Sequence, residues 1–357
     1  MKRRAALGAL GTIIASSALP FARASDLPTP ANAIFADTFG GSYRIVVGGL
    51  PGGQADRWGR AIALGLEKIL SPRTPLRIET VGGQDGVTGA NRLQTLMVSD
   101  GHTAALLPGE SSIAFLTGDP RVHFRPGEWI PILAGLSSGV IVLRGGAGRL
   151  AQAAPVRLAA AAPESPDLAA ILAFERLGVP ISPIFGLRGT TAVARAFGLG
   201  EVDAVMLTGE DIPADLASLQ AEGGVAICSL GTVDQAGRTV RDPRFANVPT
   251  VAELAGIRHA KALSPPLERA FQGVAAASRL DFIMVLPHLT PAASVALWRQ
   301  AALGAIQGSA LQSAATASAI SLTVNGAAVA LAPIAASPEA LLALRQFLFT
   351  RFGWRPS

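Results

Sequence analysis

The chain's 357 residues are half hydrophobic and only 15% charged, which gives apolar material for the cores of about two domains and excludes a disordered polyelectrolyte. The formal charge of +5 does not describe a nucleic-acid surface, because Lys2, Arg3, Arg4 and Arg23 fall within the first 24 residues, where no acid stands. Beyond them 26 basic residues face 25 acidic ones, a balance that favours neither nucleic acid nor an anionic membrane as partner.

Lys2-Arg3-Arg4, the apolar run Ala5–Leu19 and the small-x-small triplet Ala22-Arg23-Ala24 before Ser25 have the three parts of a secretory signal. They predict export to the periplasm with residues 1–24 removed. The apolar run is shorter than the ~20 residues that span a bilayer, which argues against a membrane anchor. Arg3-Arg4 leaves the Sec and Tat routes both open. Cys228 is the only cysteine, so no intramolecular disulfide forms, and within Val225-Ala226-Ile227 it reads as a small buried hydrophobe.

After a Pro/Ala-rich lead-in to about Phe39, apolar runs alternate with helical patterns. Tyr43–Val47 reads as a strand and Asp56–Leu70 as a helix, with Trp58, Ile62, Leu66 and Ile69 near helical spacing. Leu76–Val81 is a strand, Val87–Met97 a helix, Thr103–Leu107 a short buried strand, and Trp129–Leu143 a long strand-like segment with a Gly-Ser interruption. The middle gives strands at Val156–Ala161, Pro180–Phe185, Ala204–Leu207 and Val225–Leu230, and helices at Leu168–Leu177, Thr190–Gly198 and Ile212–Ala221. Beyond Pro249–Leu254 come a Pro/Ser/Arg-containing stretch at 258–279, strand Phe282–Leu286, helix Pro291–Gln307 and a closing helix Pro338–Arg351. The alternation predicts an α/β architecture with a largely parallel sheet.

The loop Gly48-Gly49-Leu50-Pro51-Gly52-Gly53 sits between a strand and a helix, where nucleotide motifs are found. Its glycines lack the dinucleotide spacing, and Gln54-Ala55 stand where a P-loop needs lysine and a hydroxyl. What remains is a tight turn, or a cradle in which backbone N–H groups and a helix start hold a small anion. Gly82-Gly83-Gln84-Asp85-Gly86 repeats the device, and two such loops at one sheet edge would face a shared crevice. Gly135-Leu136-Ser137-Ser138-Gly139 matches a nucleophile-elbow pattern, with Asp203 and His259 or His288 following in hydrolase order. The elbow needs a helix after the serine, whereas Val140-Ile141-Val142-Leu143 is β-branched. A secreted serine hydrolase using Ser137 is therefore a minor alternative. His102, His123, His259 and His288 are scattered without metal-ligand spacing, so no metal or cofactor is expected. Glu164 with Asp167, and Glu210 with Asp211, read as solvated loop acids. Arg188, in a strand-to-helix loop, is either a surface residue or an anion contact.

These residues resemble those of the tripartite tricarboxylate transporter receptors, also called Bug receptors. Leu50-Pro51-Gly52-Gly53-Gln54-Ala55-Asp56 resembles their P-P-G-G-x-x-D opening, and Asn247-Val248-Pro249-Thr250-Val251-Ala252-Glu253 is similar to their D-V-P-T-V-A-E segment. Gly198-Leu199-Gly200-Glu201-Val202-Asp203-Ala204 looks like their G-G-x-V-D turn, and Asp100-Gly101-His102-Thr103 like their D-G-Y-T. The resemblance covers nearly the whole chain after the leader, in the right order.

It implies an α/β, two-lobed periplasmic binding protein (type II, Venus-flytrap) with a ligand cleft between two α/β domains. Residues 25–137 and 231–357 would form lobe 1 and residues 138–230 lobe 2, with crossings near Ser137–Val142 and Ser229–Thr232. It implies a monomeric, non-enzymatic receptor that captures a small organic anion, a carboxylate, for a membrane permease. A related alternative is a periplasmic sensor that docks on a membrane partner. The loop Leu50-Pro51-Gly52-Gly53 and the following helix start would supply backbone donors, from its non-proline residues, Ser111 and Ser112 would add hydroxyls, and Ser165, Arg188, Gly189 and Thr190 would close from the other lobe. Asp56 and Asp203 would fix loops at the site. Where the family often has a hydroxyl-rich S-S-G-x-G-T-x-x-H loop, this chain has Ala162-Pro163-Glu164-Ser165-Pro166-Asp167, and residues 258–279 look like an insertion. Those departures allow an atypical ligand, for example a zwitterion.

Overall fold

The computed structural model describes residues 42–72, 75–234 and 236–356; the leader expected at 1–24 lies outside them. In chain order, β1 (Arg44–Gly48), α1 (Gln54–Leu70), β2 (Arg77–Val81), α2 (Val87–Thr95), β3 (Thr103–Leu107) and α3 (Gly109–Thr117) form three strand–helix units. β4 (Ile130–Leu136) and β5 (Gly139–Arg144) follow, separated only by Ser137 and Ser138. Then come β6 (Val156–Ala159), α4 (Leu168–Arg176), β7 (Ile181–Ile184), α5 (Thr190–Gly198), β8 (Ala204–Thr208), α6 (Ile212–Ala221) and β9 (Gly224–Ser229). A ribbon, β10 (Thr232–Val233) and β11 (Thr239–Val240), leads to α7 (Val251–Ile257), α8 (Pro265–Arg279), β12 (Leu280–Leu286) and α9 (Ala292–Ile306). The chain closes with α10 (Ser309–Ala317), β13 (Ser321–Thr323), α11 (Ala327–Leu331) and α12 (Pro338–Phe352).

Two principal sheets result, with strand orders β13-β4-β12-β3-β1-β2 and β7-β6-β8-β5-β9. They are mixed rather than largely parallel. β1 runs parallel to β2 and β3, while β12 is antiparallel to β3 and β4, and β13 to β4. In the second sheet β6 is parallel to β7 and β8, but β5 is antiparallel to β8 and β9. The antiparallel strands flank the places where the chain passes between sheets: β4 leaves one and β5 enters the other. The long segment 129–143 is thus two strands in two sheets, broken at Ser137-Ser138.

Local sequence explains most elements. β3 is buried along its whole length and β12 and β5 along nearly all of theirs, as continuous apolar runs covered on both faces require. α1 buries Trp58, Ile62, Ala63, Leu66 and Leu70 on one stripe. Trp58 packs on Phe282 at 5.2 Å between ring centroids. Trp298 is fully buried, meets Tyr43 edge-on at 5.8 Å, and donates Nε1–H to the Gly101 carbonyl at 2.8 Å. The Val-Pro-Thr-Val-Ala-Glu segment has a mechanical use: Thr250 accepts from the Glu253 N–H at 3.1 Å while Glu253 accepts from the Thr250 N–H at 2.7 Å, a capping box that starts α7.

Residues 258–279 are not a peripheral insertion. Pro265 and Pro266 open α8, where missing N–H groups cost nothing, and Ala270, Phe271, Val274 and Ala277 are buried along one face. α8 packs against α3, α12 and α4. Gly109 of α3 approaches so closely that a Cβ there would collide with the carbonyls of Ala277 and Leu280. Arg176 of α4 pairs with Glu268 at 3.1 Å, and Ser278 Oγ–H donates to the Pro166 carbonyl at 2.9 Å. α8 therefore braces both sheets. At the crossing beside its end, the Ser137 N–H donates to the Arg279 carbonyl at 2.9 Å.

Candidate ligand cleft

Between the two sheets lie two adjoining cavities of about 370 and 540 Å³, which share Gln84, Glu110 and Pro166 in their walls. The inner one is bounded by Leu50, Gly53, Gln54 and Ala55 on one side and by Ser137, Thr208 and Gly209 on the other. Glycine at position 52 is required by its left-handed φ of +74°. Gly53 caps α1 without any side-chain hydrogen bond. The first N–H groups of a helix have no intrahelical acceptor, so those of Gln54 and Ala55 remain available where these residues line the cavity.

The carboxylate nearest this helix start points away from the cavity's needs. Asp56 is buried and accepts from the Gly52 N–H at 2.8 Å, from Arg60 at 3.0 and 3.1 Å, and from Thr80 Oγ1 at 2.6 Å. Burial alone would raise its carboxyl, but the hydrogen bonds from Arg60, Thr80 and Gly52 outweigh it and hold the group below the usual carboxylate range. Asp56 thus ties the glycine loop to α1 and β2.

Two other acids face the inner cavity, and neither stood out in the sequence. Glu110, in the first turn of α3, is pushed above the ordinary carboxyl range by burial and by the charge of Asp85, against a hydrogen bond from its own N–H. Asp281, second residue of β12, is pushed up to about 7 by burial first and then by the charges of Glu210 and Glu110. Gln54 Nε2 donates to both Asp281 oxygens at 2.8 Å. Glu210, which follows β8, is not a solvated loop acid: it accepts from Trp58 Nε1 at 2.7 Å and pairs with Arg57 at 3.0 Å, fastening the second sheet's loop to α1.

The outer cavity contains Ser165, Arg188 and Gly189 together with Glu164, Arg121 and Trp354. Arg121 is committed to Asp119 at 2.5 Å and Asp85 at 2.9 Å, whereas Arg188 makes no ion pair among the described residues. Of the two acids in the 162–167 loop, only Glu164 lines the cavity. Asp167 turns inward, accepting from the Ala161 N–H at 2.8 Å and from Ser165 Oγ at 3.0 Å, and burial raises its carboxyl.

The other anticipated residues stand elsewhere. Pro51, Gly52 and Thr190 are exposed and line neither cavity. Asp203 is clasped by Arg157 at 2.6 and 3.0 Å in the second sheet. Ser111 and Ser112 are fully buried inside α3, and Ser111 Oγ–H is spent on the Pro108 carbonyl at 2.8 Å. The helical turn that hides these serines presents Glu110 instead. Ser137 is buried between two strands with its Oγ–H directed to the Arg279 carbonyl at 3.3 Å, so it lacks the strand–turn–helix geometry of a hydrolase nucleophile. Cys228 is fully buried and its thiol is pushed up to about 12 by burial, which makes it inert. Among the described residues no group of three or more His, Cys, Asp or Glu side chains could hold a metal ion, and no single helix is long and apolar enough to cross a membrane.

No protein-family model matches the chain, and no curated protein matches its sequence. Solved structures do match its fold. A TctC solute-binding protein from Polaromonas, without ligand, is 18% identical with a TM-score of 0.62, over 85% of this chain and 98% of that one. MatC from Rhodopseudomonas palustris with bound malate is 19% identical with a TM-score of 0.52, over 85% and 98%. Rpa4515 of R. palustris with adipate is 16% identical with a TM-score of 0.53, over 85% and 97%. The chain therefore has the two-lobed α/β fold of periplasmic solute-binding proteins.

Proposed function

We propose that this chain is a periplasmic receptor of the tripartite tricarboxylate, Bug-type family that captures a small carboxylate and presents it to a membrane permease. The observation that carries the reading is the uncapped start of α1, whose first residues border a cavity between the two sheets. Solved proteins of the same fold hold malate or adipate. On this reading residues 25–137 with 231–357 and residues 138–230 are lobes that close on the ligand, and the chain is an exported, monomeric non-enzyme. Leu50 and Gly53 supply backbone contacts in the inner cavity, and Ser165, Arg188 and Gly189 close the outer one. Glu210 acts as the latch of the closed state, because its partners Arg57 and Trp58 belong to the facing lobe.

The test is calorimetric titration and thermal unfolding of the protein expressed from its full-length reading frame and stripped of bound ligand by unfolding and refolding. Probes are di- and tricarboxylates, amino acids and cationic controls. A ligand at 100 times its Kd adds about 2.7 kcal/mol to the folded state and moves the midpoint by a few degrees. Absence of binding by every carboxyl-bearing compound would refute the receptor reading.

A further inference from the structure

We infer that the inner cavity selects a small amino acid over the matching plain dicarboxylate, with the start of α1 holding the ligand's carboxylate and Glu110 with Asp281 holding its ammonium. The inference rests on the receptor reading and narrows its substrate class.

The cavity has two poles of opposite sign. At one, Gln54 and Ala55 offer backbone N–H groups at the positive end of a 17-residue helix that has no side-chain cap. At the other stand two carboxyls, and no lysine, arginine or histidine lines the wall. Of the cations around the two cavities, Arg57 pairs with Glu210 and Arg121 with Asp119 and Asp85, while the exposed Arg188 stands in the outer cavity and not on the inner wall. Among the described residues Glu110 receives only its own N–H, and Asp281 receives only the neutral amide of Gln54. Glu110 and Asp281 are both half-buried on the cavity wall, and burial is the largest influence on each carboxyl.

A desolvated carboxylate without a partner is costly to the fold, and such groups concentrate where a ligand completes them. A ligand with a carboxylate at each end would set one of them against Glu110 and Asp281. A zwitterion places its ammonium there as a charge-assisted hydrogen-bond donor and keeps its carboxylate at the helix start. The cavity's 370 Å³ lies at the small end of ligand sites, the size for a compact amino acid. Selectivity then comes from repulsion of the wrong ligand as well as attraction of the right one.

The experiment compares matched pairs by titration calorimetry at pH 7.5: glutamate against glutarate and aspartate against succinate. In the wild type at least one amino acid binds tenfold or more tightly than its partner lacking the ammonium. In Glu110→Gln and in Asp281→Asn that ratio collapses, through weaker amino-acid binding and equal or stronger dicarboxylate binding. The ratio of two affinities within one variant does not depend on the folded fraction, and both substitutions are close to isosteric. Dicarboxylates binding as tightly as their amino-acid partners in the wild type would overturn the inference and leave the receptor reading standing, as would a ratio unchanged in both variants. Failure of these four compounds while other carboxyl-bearing compounds bind would overturn the inference alone, and failure of every carboxyl-bearing compound would overturn both.

Discussion

Replacing Asp281 by Asn tests the electrostatics of the cleft without any ligand. Burial and the charges of Glu210 and Glu110 move the carboxyl from 3.8 to about 7. Because the folded state holds this proton more tightly than the unfolded chain, the stability it confers is complete below about pH 4. That stability is lost as pH rises through 7. At 1.36 kcal/mol per pH unit the ceiling is about 4 kcal/mol, and water entering the cavity reduces it to about 2 kcal/mol. Asn keeps the hydrogen bond from Gln54 but cannot ionise, so Asp281→Asn gains on the wild type as pH rises. Between pH 5 and pH 8 the relative gain is about 1–2 kcal/mol. With an unfolding entropy near 2.1 cal/mol/K per residue over about 300 folded residues, the melting temperatures should separate by about 2 °C. Scanning calorimetry of ligand-free protein at fixed ionic strength measures it directly. A difference independent of pH, or a variant that loses ground on the wild type as pH rises, would refute the reasoning.

Further outcomes follow from the same contacts. Trp298→Ala should cost about 3–5 kcal/mol, seen as a lowered denaturant midpoint, because the indole is fully buried and its N–H is paired with Gly101. Asp56→Ala removes the buried acceptor shared by the Gly52 N–H, Thr80 Oγ1 and the exposed Arg60 guanidinium and should lower stability by about 1–2 kcal/mol while weakening ligand binding through the loosened loop, read by chemical denaturation and titration. Glu210→Gln should change the melting temperature little, since Arg57 is exposed, but speed ligand dissociation in stopped-flow fluorescence. Arg188→Ala should weaken carboxylate binding about tenfold, the loss of one charge-assisted contact, with unfolding unchanged.

Much of the architecture was legible along the chain. β3 and β12 are short continuous apolar runs, α1 shows its stripe of Trp58, Ile62 and Leu66, and the cysteine sits in apolar company. α8 escaped because Pro265-Pro266 reads as a breaker unless it falls in a helix's first turn, and because its partners α3, α4 and α12 come from distant parts of the chain. The expected hydroxyls of Ser111 and Ser112 failed for a periodic reason. Continuing a helix directly after β3 turns successive side chains about 100° apart, which sends the serines inward and leaves Glu110 on the cleft.

By itself the sequence determined what is local: the order of strands and helices and the glycine loop that leads into a helix, since each depends on residues within a few positions. Tertiary structure alone decided strand direction and the charge of the cleft. Trp58 and Glu210 are 152 positions apart, and Gln54 and Asp281 are 227 apart, so no window of sequence contains either pair. Whether an acid is solvated, latched or left desolvated against a cavity depends on which distant groups the fold brings to it, and that sets the sign of the site.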